Sequence, residues 1–462
     1  MEKLKMAVSR ISSIPPRLWL TNLSASELSL IPLLSLVSSL YSAAVRLRHY
    51  LYILGVLRKH RLPVPVISVG NLTWGGNGKT PMVEFLARAF ADDGISPLIL
   101  TRGYGGADEA KMLQRQLQGT SAKVGVGANR AAIASRFLER YGCAAFNGAT
   151  DRPFTGTKSE SLSTPSQIGV AILDDGMQHL SIQRDLEIVM VNALMPWGNH
   201  HLLPLGPLRE PLTALGRANI VVIHHADLIP EEDVDALEST ILQVQESVPI
   251  FHTKMAPINF FSCQDTARKM PLNAVAATVF LCLSGIGSAD SFIKRIERLG
   301  PAHVDRLDFS DHHKFQLKDI EMVQARLRAL ESKFGTKPIV IVTEKDYDRS
   351  PEAFEYLKPY EVLAVCCRLQ VLRHNGTTED TFKKIIKLHL CQSGRVFHGV
   401  VTNDDNGGQR LASPCVHVTS FEGQRRAVHR RRSDFGLSPA ATCVTPLKVV
   451  LPRFTLARIL QN

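Results

Sequence analysis

Residues 64–84, VPVISVGNLTWGGNGKTPMVE, constrain the fold of this chain more than any other stretch. Val64, Val66, Ile67 and Val69 make a short β-branched run bounded by prolines. A glycine-rich turn then leads through Gly78-Lys79-Thr80 into a segment where Met82, Val83, Leu86, Ala87 and Phe90 recur at helical spacing. The order is strand, loop, helix. Glycines let backbone N–H groups turn inward without Cβ clashes, and the new helix points its positive end at whatever sits in the loop. That is a cradle for phosphate. Lys79 is expected to reach the outer phosphates and Thr80 to offer its hydroxyl to Mg²⁺, as in the nucleotide motif GxxxxGK[ST]. Gly75, Gly76, Asn77, Gly78, Lys79 and Thr80 are therefore the expected nucleoside-triphosphate-binding residues. The motif's first glycine falls on Thr73, so the loop is a variant of the pattern.

Downstream, the chain alternates between short apolar runs and helical patterns. SPLILT (96–101), IGVAILDD (168–175), LEIVMVNA (186–193) and NIVVIHH (219–225) read as buried strands of a mostly parallel sheet with helices on both faces. Asp174 and Asp175 close the second of these runs, where a carboxylate is needed to hold the Mg²⁺ shell opposite the phosphate loop. In the loop LLPLGPLREP, Arg209 could clamp a phosphate and Glu210 could assist the metal or a substrate hydroxyl; the competing reading is a proline-ordered loop with a surface salt bridge. His200, His201, His224 and His225 complete no tetrahedral ligand set and read as loop or strand-end histidines.

From residue 230 the alternation restarts and suits a second α/β lobe. Gly285-Ile286-Gly287 lacks the third glycine of a dinucleotide fingerprint, because Asp290 stands there. TEKD (343–346) matches the base-reading motif of GTPases only loosely and reads as a strand-end cluster. His312, in SDHHKF (310–315), sits in a short link where a near-neutral side chain can take the proton of an attacking hydroxyl. The alternative there is a helix N-cap with solvated histidines.

Charge and cysteines narrow the surroundings. The formal charge is +11, and residues 393–462 hold ten Lys and Arg against four Asp and Glu, so the basicity lies mostly in the tail. Aromatic content is only 6%, without a basic, aromatic-interleaved pattern, so nucleic acid is not an expected partner and anionic lipid is. Eight scattered cysteines form no CxxC pair, which suggests neither a zinc site nor a disulfide framework and implies a reducing compartment. The basic, serine-bearing first 25 residues fit a transit peptide or a plain disordered start. LSLIPLLSLVSSLYSAAV and the following RLRHYLYILGVLRKHR fit a helix lying in the headgroup region better than a bilayer span.

VPVISVGNLTWGGNGKTP, LTRGYGG, LDDGMQHLSIQRDLEIV, LLPLGPLREP, DHHKF and TEKD stand in the order seen in the tetraacyldisaccharide 4'-kinase family, and the chain resembles its land-plant members over residues 28–390. The resemblance implies a P-loop NTPase-type α/β/α domain joined to a smaller α/β lobe, with an N-terminal helix against a membrane. It implies transfer of the γ-phosphoryl group of ATP to the 4'-hydroxyl of a tetraacylated disaccharide 1-phosphate in lipid A biosynthesis. Lys79 and Thr80 would serve the phosphates and Mg²⁺, Asp174 and Asp175 the metal, Arg209 and Glu210 the REP loop, and His312 the catalytic dyad. The acid that orients the family's histidine, in a GDEP-like stretch, has no counterpart in VGVGANR (124–130). Asp311 is then a candidate for that role. A nucleotide-binding homologue weakened in transfer is the alternative, and a GTPase-like switch a more distant one. The expected divisions are a transit peptide at 1–27, a membrane-associated segment at 28–62, the kinase domain at 63–228, the second lobe at 229–392 and a basic disordered tail at 393–462. A monomer, membrane-associated in the mitochondrion, is the expected setting.

Overall fold

The computed structural model describes residues 2–103, 108–144, 167–275, 277–392, 401–403 and 409–411. The chain forms two compact units, Met1–Val396 and Phe397–Asn462. The amino end is helical: α1 (Glu2–Ser13), α2 (Trp19–Asn22) and α3 (Ala25–Ile53). Next come β1 (Val66–Asn71), α4 (Lys79–Asp92), β2 (Ser96–Thr101), α5 (Asp108–Gln116), β3 (Lys123–Val126), α6 (Arg130–Tyr141), β4 (Ile168–Asp174), β5 (Leu186–Asn192) and β6 (Ile220–His224). The chain continues through α7 (Glu231–Val244), β7 (Ile250–Ser262), β8 (Asp265–Pro271), β9 (Val279–Ser284), α8 (Ala289–Glu297) and β10 (His303–Asp308). It closes with α9 (Leu317–Phe334), β11 (Ile339–Thr343), α10 (Glu344–Arg349), β12 (Val362–Val371) and α11 (Glu379–Gln392). In the second unit, β13 (Val401–Asn403) pairs antiparallel with β14 (Gln409–Leu411). The remainder of the expected disordered tail, the polar segment 147–166 and most of the RGYGG turn lie outside the described residues.

One twelve-stranded sheet runs through the first unit in the order β10-β9-β11-β12-β7-β6-β5-β1-β4-β2-β3, with β8 paired to β7. Strands β3 to β7 are parallel along this path, and so are β12, β11, β9 and β10. The two runs meet at β7 and β12, which pair antiparallel. The thirteen residues of β7 reach across both halves: Ile250 to Thr253 pair with β6, and Thr253 to Ser262 with β12.

Period-two alternation along the strands gives each half two apolar faces. Ile67, Val69, Ile99, Ile172, Ile188 and Met190 face Met82, Val83 and Leu86 of α4 and Phe382, Ile386 and Leu390 of α11. Val66, Leu98, Leu100, Ala171 and Leu173 instead meet α6. This is the expected α/β/α sandwich. The expected boundary at 228/229 is not where the packing divides, because α7 joins the core beside Val189, Val191 and Val221, and α11 returns to the core under α4. Burying a large apolar side chain stabilises by about 1.5–3 kcal/mol, and Phe382 on α11 is fully buried; that drives the return.

The amino end packs on the body: Ile11 is fully buried in a cluster with Leu23, Leu34 and Leu205, and Asn199 donates its backbone N–H to the carbonyl of Ser12 at 3.1 Å. A capping box at Ser24 and Glu27 starts α3, which continues through Pro32 with the loss of one i→i−4 hydrogen bond. Leu34, Ser38, Tyr41 and Arg48 of α3 face the body, whereas Leu33, Leu36, Leu40, Leu47 and Tyr50 are exposed.

Candidate active site

All residues of β1 are buried, and Val69 lies in register with Asp174 of β4. The loop after β1 therefore opens at the carboxyl end of the parallel strands, where α/β sheets place their ligands. Gly78 caps α4 with φ 75°, and Gly75 has φ 98°. These are the two positions where the turn demands a left-handed backbone. Thr73, where the motif has its first glycine, has no such requirement. Its carbonyl accepts from the side-chain amides of Asn71 at 2.6 Å and Asn77 at 3.3 Å, and the Asn77 amide also reaches the Gly75 carbonyl at 3.1 Å. The asparagines replace glycine's freedom with hydrogen bonds.

Lys79, the first residue of α4, places Nζ 3.6 Å from Oδ1 of Asp175. Asp175 itself has φ 50°, a strained conformation for a non-glycine residue that turns its carboxylate back over the loop. Arg209 donates to both its oxygens at 2.8 Å. Burial alone would raise its pKa, but Lys79 and Arg209 hold it below the ordinary carboxylate range. Asp174 behaves oppositely. It is 2% exposed, Oδ2 accepts from the Thr101 hydroxyl at 3.2 Å, and Oδ1 has no hydrogen-bond partner. Burial, reinforced by the charges of Glu109 and Asp175, pushes its pKa up to about 7 against the pull of Lys79 and Arg130. A buried, unsatisfied carboxylate oxygen beside a second acid and the Thr80 end of α4 suits a hard divalent cation.

The REP loop lies against the phosphate loop as an added ladder. Trp74 N donates to Pro207 O at 3.0 Å and Arg209 N to Leu72 O at 2.6 Å. Glu210, expected to assist the metal, instead has both oxygens engaged: Arg217 donates to each, at 2.7 and 3.0 Å, and Gln178 to Oε1 at 3.0 Å. Helix α3 is tied to these loops directly. The Tyr41 hydroxyl donates to Arg209 O at 2.9 Å, and Arg48 donates to Gln178 O at 3.0 Å.

The second half closes over the cradle. Gly285 to Ser288, the turn after β9, lies so close that a Cβ on Gly287 would sit 2.5 Å from Gly76 N and 3.1 Å from Oδ2 of Asp311. The Gly285 carbonyl accepts from His312 N at 3.1 Å, which anchors the SDHHKF link beside the phosphate loop. His312 has φ 61°, and its Nε2 stands 3.8 Å from Oδ2 of Asp311. His313 is the N-cap companion of the alternative reading: its Nε2 pairs with Asp319 at 2.8 Å in the first turn of α9. His313 is thus engaged at the start of α9, whereas His312 stands beside Asp311. TEKD is a helix start, with Thr343 accepting from Asp346 N at 3.1 Å.

Two charged residues escaped sequence reasoning. Lys345 of TEKD places Nζ 3.1 Å from Oε1 of Glu109 and 4.0 Å from Oδ1 of Asp311. Glu109, in the first turn of α5, also contributes to the electrostatics of Asp174. VGVGANR is β3 and its turn into α6, and its contribution is Arg130, 3% exposed, which donates to the Asp175 carbonyl at 3.1 Å. The signal for Glu109 was the Asp-Glu pair heading a helix after a glycine turn. Of the four flagged histidines, His224 has its ring beneath the cradle, since a Cβ on Gly78 would meet its Cδ2 at 2.4 Å.

Comparison with known proteins agrees with this geometry. A family model described as tetraacyldisaccharide-1-P 4'-kinase matches residues 30–387. The chain is 50% identical to an Arabidopsis thaliana protein named probable tetraacyldisaccharide 4'-kinase, mitochondrial, over 83% of this chain and 96% of that one. It is 35% identical to a tetraacyldisaccharide 4'-kinase of Syntrophus aciditrophicus, over 78% of this chain and 93% of that protein. With the phosphate loop, the paired acids and the histidine link assembled at one end of the sheet, and relatives matched over nearly their whole length, this chain belongs to the tetraacyldisaccharide 4'-kinase family.

Proposed function

We propose that this protein transfers the γ-phosphoryl group of ATP to the 4'-hydroxyl of a tetraacyldisaccharide 1-phosphate lying in a membrane surface. The observation that carries this reading is the meeting of Lys79, Asp174 and Asp175 over the start of α4, with α3 bonded to the same loops. Backbone amides from Gly75 to Thr80 and the Lys79 ammonium bind the triphosphate. Thr80, Asp174 and Asp175 would hold Mg²⁺, which supplies charge neutralisation on the phosphates when bound. Glu210 keeps Gln178 and the REP loop in place. Arg209, which donates to Asp175 beside the phosphate loop, would clamp a phosphate oxygen there. His312 accepts the proton of the attacking hydroxyl at Nε2, with Asp311 and the Lys345–Glu109 pair setting the field around it.

The lipid reaches this site along α3. One face of that helix is fastened to the body and the other carries exposed Leu33, Leu36, Leu40, Leu47 and Tyr50, the pattern of a helix lying in the interface rather than spanning the bilayer. The name of the Arabidopsis relative supports a mitochondrial setting, and a monomer with no nucleic-acid partner completes the reading. The alternative of a homologue without transfer activity rests on the acid absent from VGVGANR and on the basic tail; membership of the family and Asp311 beside His312 favour transfer. The test is transfer of label from γ-labelled ATP to a disaccharide lipid in mixed micelles with Mg²⁺. Labelled lipid is expected; nucleotide binding with no product would favour the alternative.

A further inference from the structure

Away from the cradle, α7, β7 and the turn after β12 bring together three metal-ligating side chains that no step above uses. Glu238, His252 and His374 each offer a ligand atom, all within 4.8 Å of one another. His252 Nε2 stands 2.9 Å from Glu238 Oε1, and His374 Nε2 stands 3.7 Å from the same oxygen. Two ligands 2.0–2.1 Å from a tetrahedral zinc ion are separated by roughly 3.3 Å, between these two spacings. The decisive side chain is His252. It is 2% exposed, and neither Nδ1 nor Nε2 has a hydrogen-bond partner, so its approach to Glu238 is close but not aligned for a bond. A buried imidazole with both nitrogens unsatisfied is costly unless something else fills the place. His374 is held toward the group by its turn, where His374 and Thr377 exchange backbone hydrogen bonds and Asn375 has φ 44°. Its competing contact, the Asn375 amide at 3.0 Å, is exposed and readily surrendered.

We infer that Glu238, His252 and His374 form a structural site for a borderline divalent cation of the zinc class. Two imidazoles and one carboxylate are the donor set such ions take, with water completing the shell. The ion clips α7 to β7 and to the turn that leads into α11, joining segments far apart in sequence. It also sits one residue from Thr253, whose hydroxyl contacts Nδ1 of His224 at 2.9 Å, the ring beneath Gly78. The clip therefore braces the strand pair on which the phosphate loop rests.

The test uses the full chain, stripped with chelator and reloaded with Zn²⁺ alone. One zinc per chain should survive desalting, and the Co²⁺-substituted protein should show visible bands without thiolate charge transfer. Zinc should raise Tm by on the order of 2–4 °C. Glu238→Gln and His374→Ala alter part-exposed ligands and should fold, lose the retained zinc and lose the Tm shift, while Mg²⁺-dependent turnover of the metal-stripped variants matches that of the stripped parent. Zinc retained equally by both variants, thiolate charge transfer with Co²⁺, or no retention and no shift in the parent would each overturn the inference.

Discussion

Asp174 makes the unliganded site a liability whose size can be worked out. Its native pKa of about 7 exceeds the unfolded carboxylate value of 3.8, so the native state holds a proton that the unfolded chain has released. Between these values stability falls as pH rises, and above pH 7 the loss is complete. Three pKa units at about 1.4 kcal/mol each give a penalty on the order of 4 kcal/mol, roughly 2 of which accrue between pH 5.5 and 8.5. Several histidines act in the opposite sense. Burial lowers His179 and His225 to about 3 and His252 to about 4, so their neutral forms stabilise the fold as pH rises toward the unfolded histidine value and add nothing further above it. Asp174→Asn isolates the carboxylate, because the histidines are common to both proteins and the amide can keep the Thr101 bond. Urea unfolding in chelator at pH 5.5 and 8.5 should show the parent losing about 2 kcal/mol relative to the variant over that interval. Adding Mg²⁺ and nucleotide should stabilise the parent more than the variant, and the variant should transfer no phosphate. Parallel pH profiles for the two proteins would refute the reasoning.

Other outcomes follow from the same geometry. Gly78→Ala must place a Cβ against the pinned His224 ring as well as bear φ 75°, whereas Gly94→Ala at φ 78° meets nothing within 4 Å; denaturation should show about 1 kcal/mol lost at Gly94 and about 2–4 kcal/mol at Gly78, with ATP affinity reduced only at Gly78. Lys79→Ala should abolish turnover in the labelled-ATP assay while the fold, followed by circular dichroism, persists. His312→Ala should lower kcat by about 10²- to 10⁴-fold with nucleotide binding retained in a titration, and an unchanged kcat would remove it from the base role. Arg217→Ala leaves the 7% exposed Glu210 without its main partner and should cost about 3–5 kcal/mol in chemical denaturation.

The sequence by itself determined the sandwich and its phosphate cradle. Val66 to Val69, the glycine turn and the α4 periodicity are local signals, since strand alternation, left-handed turns and helical spacing act over a few residues and are written in neighbouring positions. Asp174 and Asp175 were legible as candidates for the same reason: they close a strand whose carboxyl end faces the loop. Tertiary structure decided what depends on contacts between distant segments. Only packing could show that α7 and α11 belong to the first core, that Ile11 packs against Leu34 and Leu205, and that Glu210 is engaged by Arg217 and Gln178. Only packing could bring Glu109 to Lys345 across the cleft, or His374 to His252. Charges interact through space at a few ångströms whatever their separation along the chain, so their partners are fixed by how the sheet is crossed and not by spacing in the sequence.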